Sequence, residues 1–378
     1  MSACTRYAIT LAVTLALIGC TRENPAYNPD PLLPDQCREG QEVSESFESY
    51  ERPDLLDVLL VVDNSGDVEA QQLSLARAMP QLLEPLAQEQ INVRVGVMTT
   101  DATVAAGLAP PGKSAPNCAT NTANVADSEA QENWIQVAAC NIQQGKNGDS
   151  FQRALEVIER AVISEPSSLS TFRRPRARLL IIVVSNEDDC SQQEPLVASG
   201  DVLVRNLCSW NPDKLIDTRA WAERLRAKAK SPEGIALATI AGPTSSVPIE
   251  DGRDVRPLCQ SSMGAAYPSN RLYEVTNYFG TNGHYDNICS HDLSQQMREI
   301  ARHLALASTV TLCPGRQLTH EPLAVQARTG AERVDIGLGA HGVVFLGRNE
   351  ACPNGALSLN AQALRGVNSV ESQYCVIP

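Results

Sequence analysis

Several signatures of known chemistry are missing from this chain of 378 residues. It contains no CxxC pair, which disfavours a zinc–thiolate site, and no GxSxG, HExxH or dinucleotide-binding motif. None of its five histidines lies beside a serine or cysteine in a recognisable nucleophile motif. Basic residues are also scarce, because 31 lysines and arginines face 44 acidic residues and the formal charge is −13. Nucleic acid is therefore not expected as a partner, since phosphate binding needs a basic face.

The first twenty residues predict export and lipid attachment. Residues 7–18 form an apolar run that is too short to span a bilayer comfortably. The run leads into LIGC at residues 17–20, which resembles a bacterial lipoprotein signal. We expect residues 1–19 to be cleaved as a signal peptide and Cys20 to carry lipid; a plain cleaved signal peptide is the alternative. The predicted location is the cell envelope, at the outer membrane or cell surface, with membrane contact through this lipid only.

Ten cysteines remain when Cys4, in the signal peptide, and Cys20 are set aside. An even number of cysteines in an exported chain favours disulfide bonds. Pairing of sequence neighbours gives four loops of roughly 20 to 30 residues and leaves two cysteines that flank the central part of the chain. The predicted pairs are Cys118–Cys140, Cys190–Cys208, Cys259–Cys289, Cys352–Cys375 and Cys37–Cys313.

The central part of the chain has the pattern of a parallel α/β sheet. Residues 55–62 (LLDVLLVV) and 179–184 (LLIIVV) are almost continuously apolar, as strands covered on both faces are. Residues 91–97 and 235–241 predict further strands, and helical spacing of apolar residues occurs between the strands. Strands that alternate with helices predict a doubly wound, mostly parallel, Rossmann-like sheet with helices on both faces.

The remaining stretches lack this alternation. Residues 20–53 begin with a proline-rich run and are assigned to an extended tether. Residues 102–148 and 243–285 are predicted to be irregular loops because they are rich in small and polar residues. Residues 309–378 hold short alternating runs separated by glycine, proline and asparagine, which predicts a small β domain. The α/β domain is accordingly assigned to residues 54–308.

Oxygen-bearing side chains follow three of the predicted strands. Asp63 to Asp67 (DNSGD), Thr99 to Asp101, and Ser185 to Ser191 each begin where a strand ends. Ligands of open α/β sheets bind at this edge, and carboxylates and hydroxyls are ligands that Mg²⁺ and Ca²⁺ prefer. The alternative is structural, with Asp63 as the cap of the following helix and Asp67 interacting with its dipole.

The order of these features resembles a von Willebrand factor A domain over residues 54–308. The shared features are a buried strand, the DNSGD turn, a long helix, and a second buried strand that ends in an acidic turn. In that family a metal-ion-dependent adhesion site uses DxSxS in the first turn, a Thr from a second loop and an Asp after the central strand. The resemblance implies that Asp63 and Ser65 are the first two ligands.

The chain departs from the family pattern at the other ligand positions. Asp67 stands where the family has Ser, and Asn186 stands where it has Asp. Asp149 or Ser150 is the nearest match to the Thr. The two exchanges leave the number of carboxylates across those positions unchanged. The resemblance therefore implies a degenerate site for Ca²⁺ or Mg²⁺ made of Asp63, Ser65, Asp67, Asn186 and Asp149.

Two classes of function are compatible with these features. The favoured interpretation is a lipid-anchored, non-enzymatic binding or adhesion module for a protein or glycan partner, with a divalent cation at the degenerate site. A variant is an envelope scaffold protein whose site has lost its metal. The alternative is a metal-dependent hydrolase on the same sheet, with Asp63 as nucleophile or ligand and Asp188 or Asp189 assisting. The sequence offers such a hydrolase no general base in a convincing position.

Overall fold

The structure is a computed structural model of the chain. It describes residues 41–47, 55–66, 68–113, 116–175, 177–197, 202–229, 234–247, 252–290, 292–305, 309–318, 322–329, 332–337, 343–350, 352–360, 367 and 369–376. The predicted signal peptide, Cys20, Cys37 and Asp67 lie outside these residues.

The described residues form a mixed α/β structure with additional antiparallel sheets. The first part comprises β1 (Gln41–Phe47), β2 (Leu55–Val62), α1 (Glu69–Gln88), β3 (Asn92–Thr99), β4 (Val125–Asp127), α2 (Trp134–Ile142), α3 (Ala154–Ile158) and β5 (Arg178–Val184). The middle comprises α4 (Val204–Trp210), α5 (Thr218–Ala227), β6 (Ile235–Ala241), β7 (Cys259–Ser261), β8 (Gly264–Ala266), α6 (Asn270–Asn277), β9 (Gly283–Asn287) and α7 (Ser294–Ile300). The last part comprises β10 (Thr309–Leu312), β11 (Ala324–Thr329), β12 (Glu332–Asp335), β13 (Val343–Gly347), β14 (Ala356–Asn360) and β15 (Ser369–Val376).

The central sheet has the strand order β4-β3-β2-β5-β6-β9. All neighbours run parallel except β4, which pairs antiparallel with β3 at the edge. Numbered within this sheet alone, the order is 3-2-1-4-5-6, so the strand order reverses between β2 and β5. Such a reversal is the switch point at which open α/β sheets bind ligands. The predicted mostly parallel sheet is confirmed.

Alternate residues of each central strand enter two separate apolar clusters. On β2, Val58, Leu60 and Val62 pack with α1, α2 and α7, whereas Leu59 and Val61 pack with α3, α5 and α6. Because strand side chains alternate between faces, these clusters lie on opposite sides of the sheet. Helices thus cover both faces, which explains why the central strands are apolar without interruption.

One carboxylate is buried among these apolar residues. Asp57 on β2 has no solvent-accessible surface. Its oxygens accept hydrogen bonds from the backbone N–H and the Nε of Arg174, each at 2.8 Å. Arg174 also donates to the backbone carbonyls of Leu56 and Asn92. This ion pair joins the start of β2 to the segment that precedes β5.

Two local expectations were wrong. The segments predicted to be irregular contain β4 and α2 in residues 102–148, and the β7–β8 hairpin, α6 and the start of β9 in residues 243–285. Helix α1 continues from Glu69 to Gln88 with Pro80 and Pro85 inside it. Strand β9 and helix α6 were missed because they carry polar residues, as GHYDN and NRLYEVTN show.

The predicted β part consists of two antiparallel sheets, with the orders β1-β15-β11-β12 and β10-β14-β13. All seven residues of β1 pair with β15, so residues 41–47, which were assigned to the tether, form an edge strand of this part. The buried hydroxyl of Tyr374 on β15 donates to Glu45 Oε2 on β1 at 2.6 Å. Glu45 also accepts from the backbone N–H of Gly315. The β part therefore includes chain from both sides of the α/β part.

The disulfide bonds follow the predicted scheme in the α/β part but not in the β part. Cys118–Cys140, Cys190–Cys208 and Cys259–Cys289 are confirmed. Cys313 pairs with Cys352, which contradicts both Cys37–Cys313 and Cys352–Cys375. Cys375 is also disulfide-bonded. Leu312 and Leu357 are directly opposed in the β10–β14 ladder, which brings Cys313 towards Cys352, the next cysteine in the sequence.

Among the helices that the structure describes, none combines the length and apolar character needed to cross a bilayer.

Candidate functional site

The turn after β2 lies at the switch point of the central sheet. The backbone N–H and the hydroxyl of Ser65 both donate to Asp63 Oδ1, at 2.9 and 2.8 Å. The hydroxyl of Ser185, from the end of β5, donates to Asp63 Oδ2 at 3.0 Å. Asp63 is 3% exposed and Ser65 is half-buried. The edge thus gathers a carboxylate and two hydroxyls from two adjacent strands.

The turn does not cap the helix that follows it. The N-cap of α1 is Val68, and its side chain makes no capping hydrogen bond. The predicted role of Asp63 as a helix cap is therefore wrong. The carboxylate of Asp63 closes its own turn instead.

The same local turn occurs elsewhere in the chain. An aspartate accepts from the backbone N–H and the hydroxyl two residues later at Asp101–Thr103, Asp189–Ser191 and Asp292–Ser294. Aspartate commonly closes turns in this way. The DxS pattern alone is therefore not specific. The contact from Ser185 on the neighbouring strand distinguishes Asp63 from most of these turns.

A second loop is fastened to the Asp63 turn by Gln72 of α1. Its Nε2 donates to the carbonyls of Asp63 and Gly145, at 2.7 and 2.8 Å, and its Oε1 accepts from the Gly145 N–H at 3.0 Å. The N–H of Gly148 donates to the carbonyl of Asn64 at 2.8 Å. A Cβ at Gly148 would lie 2.2 Å from Asn64 Oδ1, so glycine permits this close approach. Sequence patterns gave no signal for Gln72, a polar residue inside a helix.

The other predicted ligands that the structure describes are held by different partners. Asn186 Nδ2 donates to the carbonyl of Ala265 at 3.1 Å, although the residue also borders a small space of about 10 Å³ beside Asp63 and Ser185. Asp149 Oδ2 pairs with Arg153 Nη2 at 2.6 Å. Asp63, Ser65 and Asn186 therefore meet at one edge, whereas Asp149 is neutralised by a neighbouring arginine.

The donor set at this edge fits a hard cation in kind. Asp63, Ser65 and Ser185 supply oxygen atoms, and Asn64 Oδ1 is buried without a hydrogen-bond partner among the described residues. An unpartnered buried oxygen is an available ligand for Ca²⁺, which takes six to eight oxygens in flexible geometry. Within the described part of the chain, no group of three His, Cys, Asp or Glu side chains is placed to hold a metal. A cation here would depend on hydroxyl and amide oxygens beside the single carboxylate of Asp63.

The acidic turn after β5 holds helix ends. Asp188 accepts from the backbone N–H groups of Arg271 and Leu272 at the start of α6, both at 3.0 Å. Burial raises the pKa of Asp188 to about 6, and these N–H groups oppose the shift. Asp189 accepts from the N–H of Leu155 at the start of α3. Asp188 and Asp189, which the hydrolase alternative requires, are thus engaged in capping.

A larger cavity of about 370 Å³ opens beside this acidic turn. Its wall includes Glu187, the first turn of α4 and residues 267–271, which connect β8 to α6. The guanidinium of Arg205 lies 4.1 Å from the ring centroid of Tyr267 and 2.9 Å from Glu187 Oε1. This cavity had no counterpart in the sequence analysis, because its residues come from segments that are spread between Ser150 and Arg271.

Two of the histidines lie together away from this edge. The rings of His284 on β9 and His303, just after α7, stack with centroids 5.8 Å apart. Burial lowers the pKa of His284, Asp286 and Glu299 oppose the shift, and His303 adds to it. His284 lies 3.9 Å from Asp286, and His303 lies 3.1 Å from Glu299. The remaining histidines, His291, His320 and His341, lie outside the described residues.

Comparisons with known proteins give weak likenesses. No family model matches the chain, and no curated protein matches it. Among solved structures, the pilus adhesin SpaC from Lactobacillus rhamnosus GG is 12% identical with a TM-score of 0.38, over 88% of this chain and 40% of the adhesin. An aerotolerance-related membrane protein from Bacteroides fragilis is 13% identical with a TM-score of 0.32, over 66% of this chain and 98% of its own.

A third similar structure is the human COPII-coat protein Sec24c, which is 10% identical with a TM-score of 0.38. This chain spans 40% of the adhesin and 41% of the coat protein. Likenesses at these values do not transfer a function, because proteins with loosely similar folds host many unrelated activities. The functional interpretation of this chain therefore rests on its own residues.

Proposed function

We propose that this protein is a non-enzymatic binding module whose α/β part is a doubly wound domain of the von Willebrand factor A type. The observation that carries the proposal is the convergence of Asp63, Ser65 and Ser185 at the point where the strand order of the sheet reverses. Open α/β sheets bind their ligands at that point. The partner is a protein or glycan that docks on this edge.

A divalent cation, Ca²⁺ or Mg²⁺, belongs to the same proposal. Asp63, Ser65 and Ser185 would hold it, with Asn64 and Asn186 as neighbouring amide ligands. At this edge the hydroxyls of Ser65 and Ser185 both contact the carboxylate of Asp63. A bound cation would add positive charge there. That charge would attract a carboxylate or hydroxyl of the partner, which suits a chain with a net charge of −13.

Thermal unfolding with increasing Ca²⁺ or Mg²⁺ tests the cation. A ligand that binds only the folded state stabilises it, by about 2.7 kcal/mol when present at 100 times its Kd. We expect the melting temperature to rise with Ca²⁺ and the rise to vanish in Asp63→Ala. Asp292→Ala is the matched control, because Asp292 closes the same kind of turn with Ser294 outside this edge. If the wild-type melting temperature does not respond to either cation, Asp63 only closes its turn.

The proposal also includes a lipid anchor at Cys20, which is supported by LIGC at residues 17–20. Lipid attached there would hold the binding edge at the cell envelope. Cys20→Ser should move the protein from the membrane fraction to the soluble fraction. Recovery of wild-type protein in the soluble fraction with an unmodified N-terminus would contradict the anchor.

A further inference from the structure

The 370 Å³ cavity beside the acidic turn has the dimensions of a small-ligand site. Ligand pockets in proteins are commonly about 300 to 1,000 Å³ and combine apolar walls with a few fixed polar groups. The walls here include α4, the turn after β5, and the segments at 245–247 and 267–271. The cavity is separate from the oxygen atoms of the Asp63 turn, since Asp63 and Ser65 do not line it.

Arg205 lines this cavity. Its guanidinium is held in place, but one of its hydrogen-bond donors has no acceptor among the described residues. Glu187 Oε1 binds its Nη1 at 2.9 Å, and the ring of Tyr267 supports the guanidinium plane at 4.1 Å. Its Nε is buried and has no hydrogen-bond partner among the described residues. A buried donor without an acceptor is unfavourable. Arg205 lines the cavity with a side chain that is 24% exposed, so an acceptor bound there can approach the guanidinium.

The acidic groups around Arg205 offer little to a ligand. Asp188 accepts from three backbone N–H groups, and Asp189 accepts from Leu155, Ser191 and Arg271. The unmet capacity in the wall is therefore a donor. Carboxylates match the planar fork of arginine and form two parallel hydrogen bonds with it. The nearby carboxylates of Glu187 and Asp188 disfavour a doubly charged phosphate relative to a singly charged carboxylate.

Another part of the wall is apolar. Val204, Leu215 and Val255 line the cavity together with the Cys190–Cys208 disulfide. Val247, at the cavity, is 70% exposed. A ligand with an apolar body next to its carboxylate would bury this surface, which is favourable in proportion to the area removed from water.

We propose that the cavity binds a carboxylate carried on a small apolar body, of the size of a dipeptide, with Arg205 as the carboxylate-binding residue. The carboxylate is that of a peptide C-terminus or of an acidic side chain within a peptide. This site goes beyond the cation-dependent edge, because neither Asp63 nor a metal takes part in it.

Calorimetric titration of the full chain with three probes tests the proposal. Acetyl-Ala-Val with a free C-terminus presents a terminal carboxylate, its C-terminal amide presents none, and acetyl-Ala-Glu amide presents only a side-chain carboxylate. We expect at least one carboxylate probe to bind about tenfold or more tightly than the amide, the difference expected for one charge-assisted contact. The probe that binds identifies the source of the carboxylate. Equal affinity for all three probes, or no binding of any, would overturn the proposal.

Variants at Arg205 assign the contact. Arg205→Met should abolish the preference for carboxylate, and Arg205→Lys should weaken it about tenfold, because lysine keeps the charge but lacks the fork. Arg219→Met is the matched control, since Arg219 pairs with Glu223 at an exposed position. Arg205→Lys decides the test if Arg205→Met fails to fold, and unchanged affinity in Arg205→Lys would overturn the role of Arg205. A chelator should leave the carboxylate preference intact, so failure here is distinguishable from failure of the cation proposal.

Discussion

The α/β part and the β part take their strands from the chain in opposite ways. All six strands of the central sheet lie between Leu55 and Asn287, in one continuous stretch of sequence. The four-stranded sheet instead joins β1, near the start of the described chain, to β15, near its end. The α/β part is therefore inserted between two pieces of the β part.

The two parts also differ in how they are held together. Apolar clusters cover both faces of the central sheet, and the Asp57–Arg174 pair is buried beside them. The β part has one smaller cluster and a polar contact, Tyr374 to Glu45, across its long-range strand pair. We infer that the α/β part is stabilised by two apolar clusters drawn from one continuous stretch of chain, whereas the β part depends on pairing between strands from opposite ends of the described chain. The three tryptophans, Trp134, Trp210 and Trp221, all lie in the α/β part, so their fluorescence reports on that part.

Among the predicted effects on the free energy of unfolding, removal of the buried Asp57 carboxylate should give the largest. Asp57→Ala leaves the charge of Arg174 in a largely buried position without its partner. Loss of one member of a buried ion pair typically lowers the free energy of unfolding by about 3–5 kcal/mol. Urea unfolding followed by tryptophan fluorescence measures this loss.

Glu223→Ala is the control for Asp57→Ala. It breaks an ion pair of similar type between Arg219 and Glu223, but both side chains are exposed. Exposed pairs contribute about 0.2–1 kcal/mol. Similar small losses in the two variants would show that the carbonyls of Leu56 and Asn92 suffice for Arg174 and that the buried pair does not distinguish the α/β part.

A smaller effect, confined to the β part, is expected from Tyr374→Phe. The substitution removes the hydroxyl that donates to Glu45 at 2.6 Å. A hydrogen bond to a charged group contributes about 1.5–3 kcal/mol. Amide hydrogen exchange in β15 should accelerate, while the unfolding curve reported by tryptophan stays the same.

Tyr278→Phe provides the matched control, since its hydroxyl bonds Glu274 at an exposed position. This variant should leave exchange in β15 unchanged. If Tyr374→Phe shifts the tryptophan-reported curve as much as the exchange rates, the two parts unfold as one unit and the distinction between them fails.

The smallest effect concerns pH and the stacked histidines. Burial lowers the pKa of His284 below its ordinary value of 6.5, Asp286 and Glu299 oppose the shift, and His303 adds to it. The unfolded chain therefore binds more protons in this range, so the contribution of His284 is complete above pH 6.5 and is lost as the pH falls through the lowered value. We expect the wild type to lose more stability than His284→Gln between pH 7.5 and pH 5.5.

Asp188 contributes to stability with the opposite pH dependence, and the comparison of wild type with His284→Gln removes this contribution. The pKa of Asp188 is raised from 3.8 to about 6, so its contribution to stability is present below pH 3.8 and is lost as the pH rises through 6. Asp188 is unchanged in His284→Gln, and its contribution cancels in the difference between the two proteins. Identical pH profiles would show that His284 is solvated in the folded state.

The sequence predicted the elements that are buried on both faces. The runs at β2 and β5 are apolar because helices cover them on both sides, and this leaves no ambiguity in the pattern. Strand β9 escaped prediction because it lies at a sheet edge, where His284, Tyr285 and Asp286 are half-buried. Strand β1 escaped for the same reason, and because its partner is far away in the sequence.

The candidate site was predictable only where chemistry is concentrated in a short segment. Asp63 and Ser65 stand two residues apart after a buried strand, so both were found. Ser185 was recognised as part of the edge, but its contact with Asp63 depends on the adjacency of β2 and β5. Arg205 was missed because its setting is formed by Glu187 and Tyr267, which only the folded chain brings together.

Strand β1 pairs with β15, the last strand of the described chain to be synthesised, and this order affects folding. Glu45 and Tyr374 are 329 residues apart, and a chain synthesised at roughly 5–20 residues per second would leave β1 unpaired for roughly 15 to 65 s. An unpaired strand edge is able to join a strand of another molecule. The sequence of β1, QEVSESF, carries two glutamates, and charge on an edge strand discourages such aggregation. We infer that the glutamates of β1 disfavour such pairing until β15 has been made.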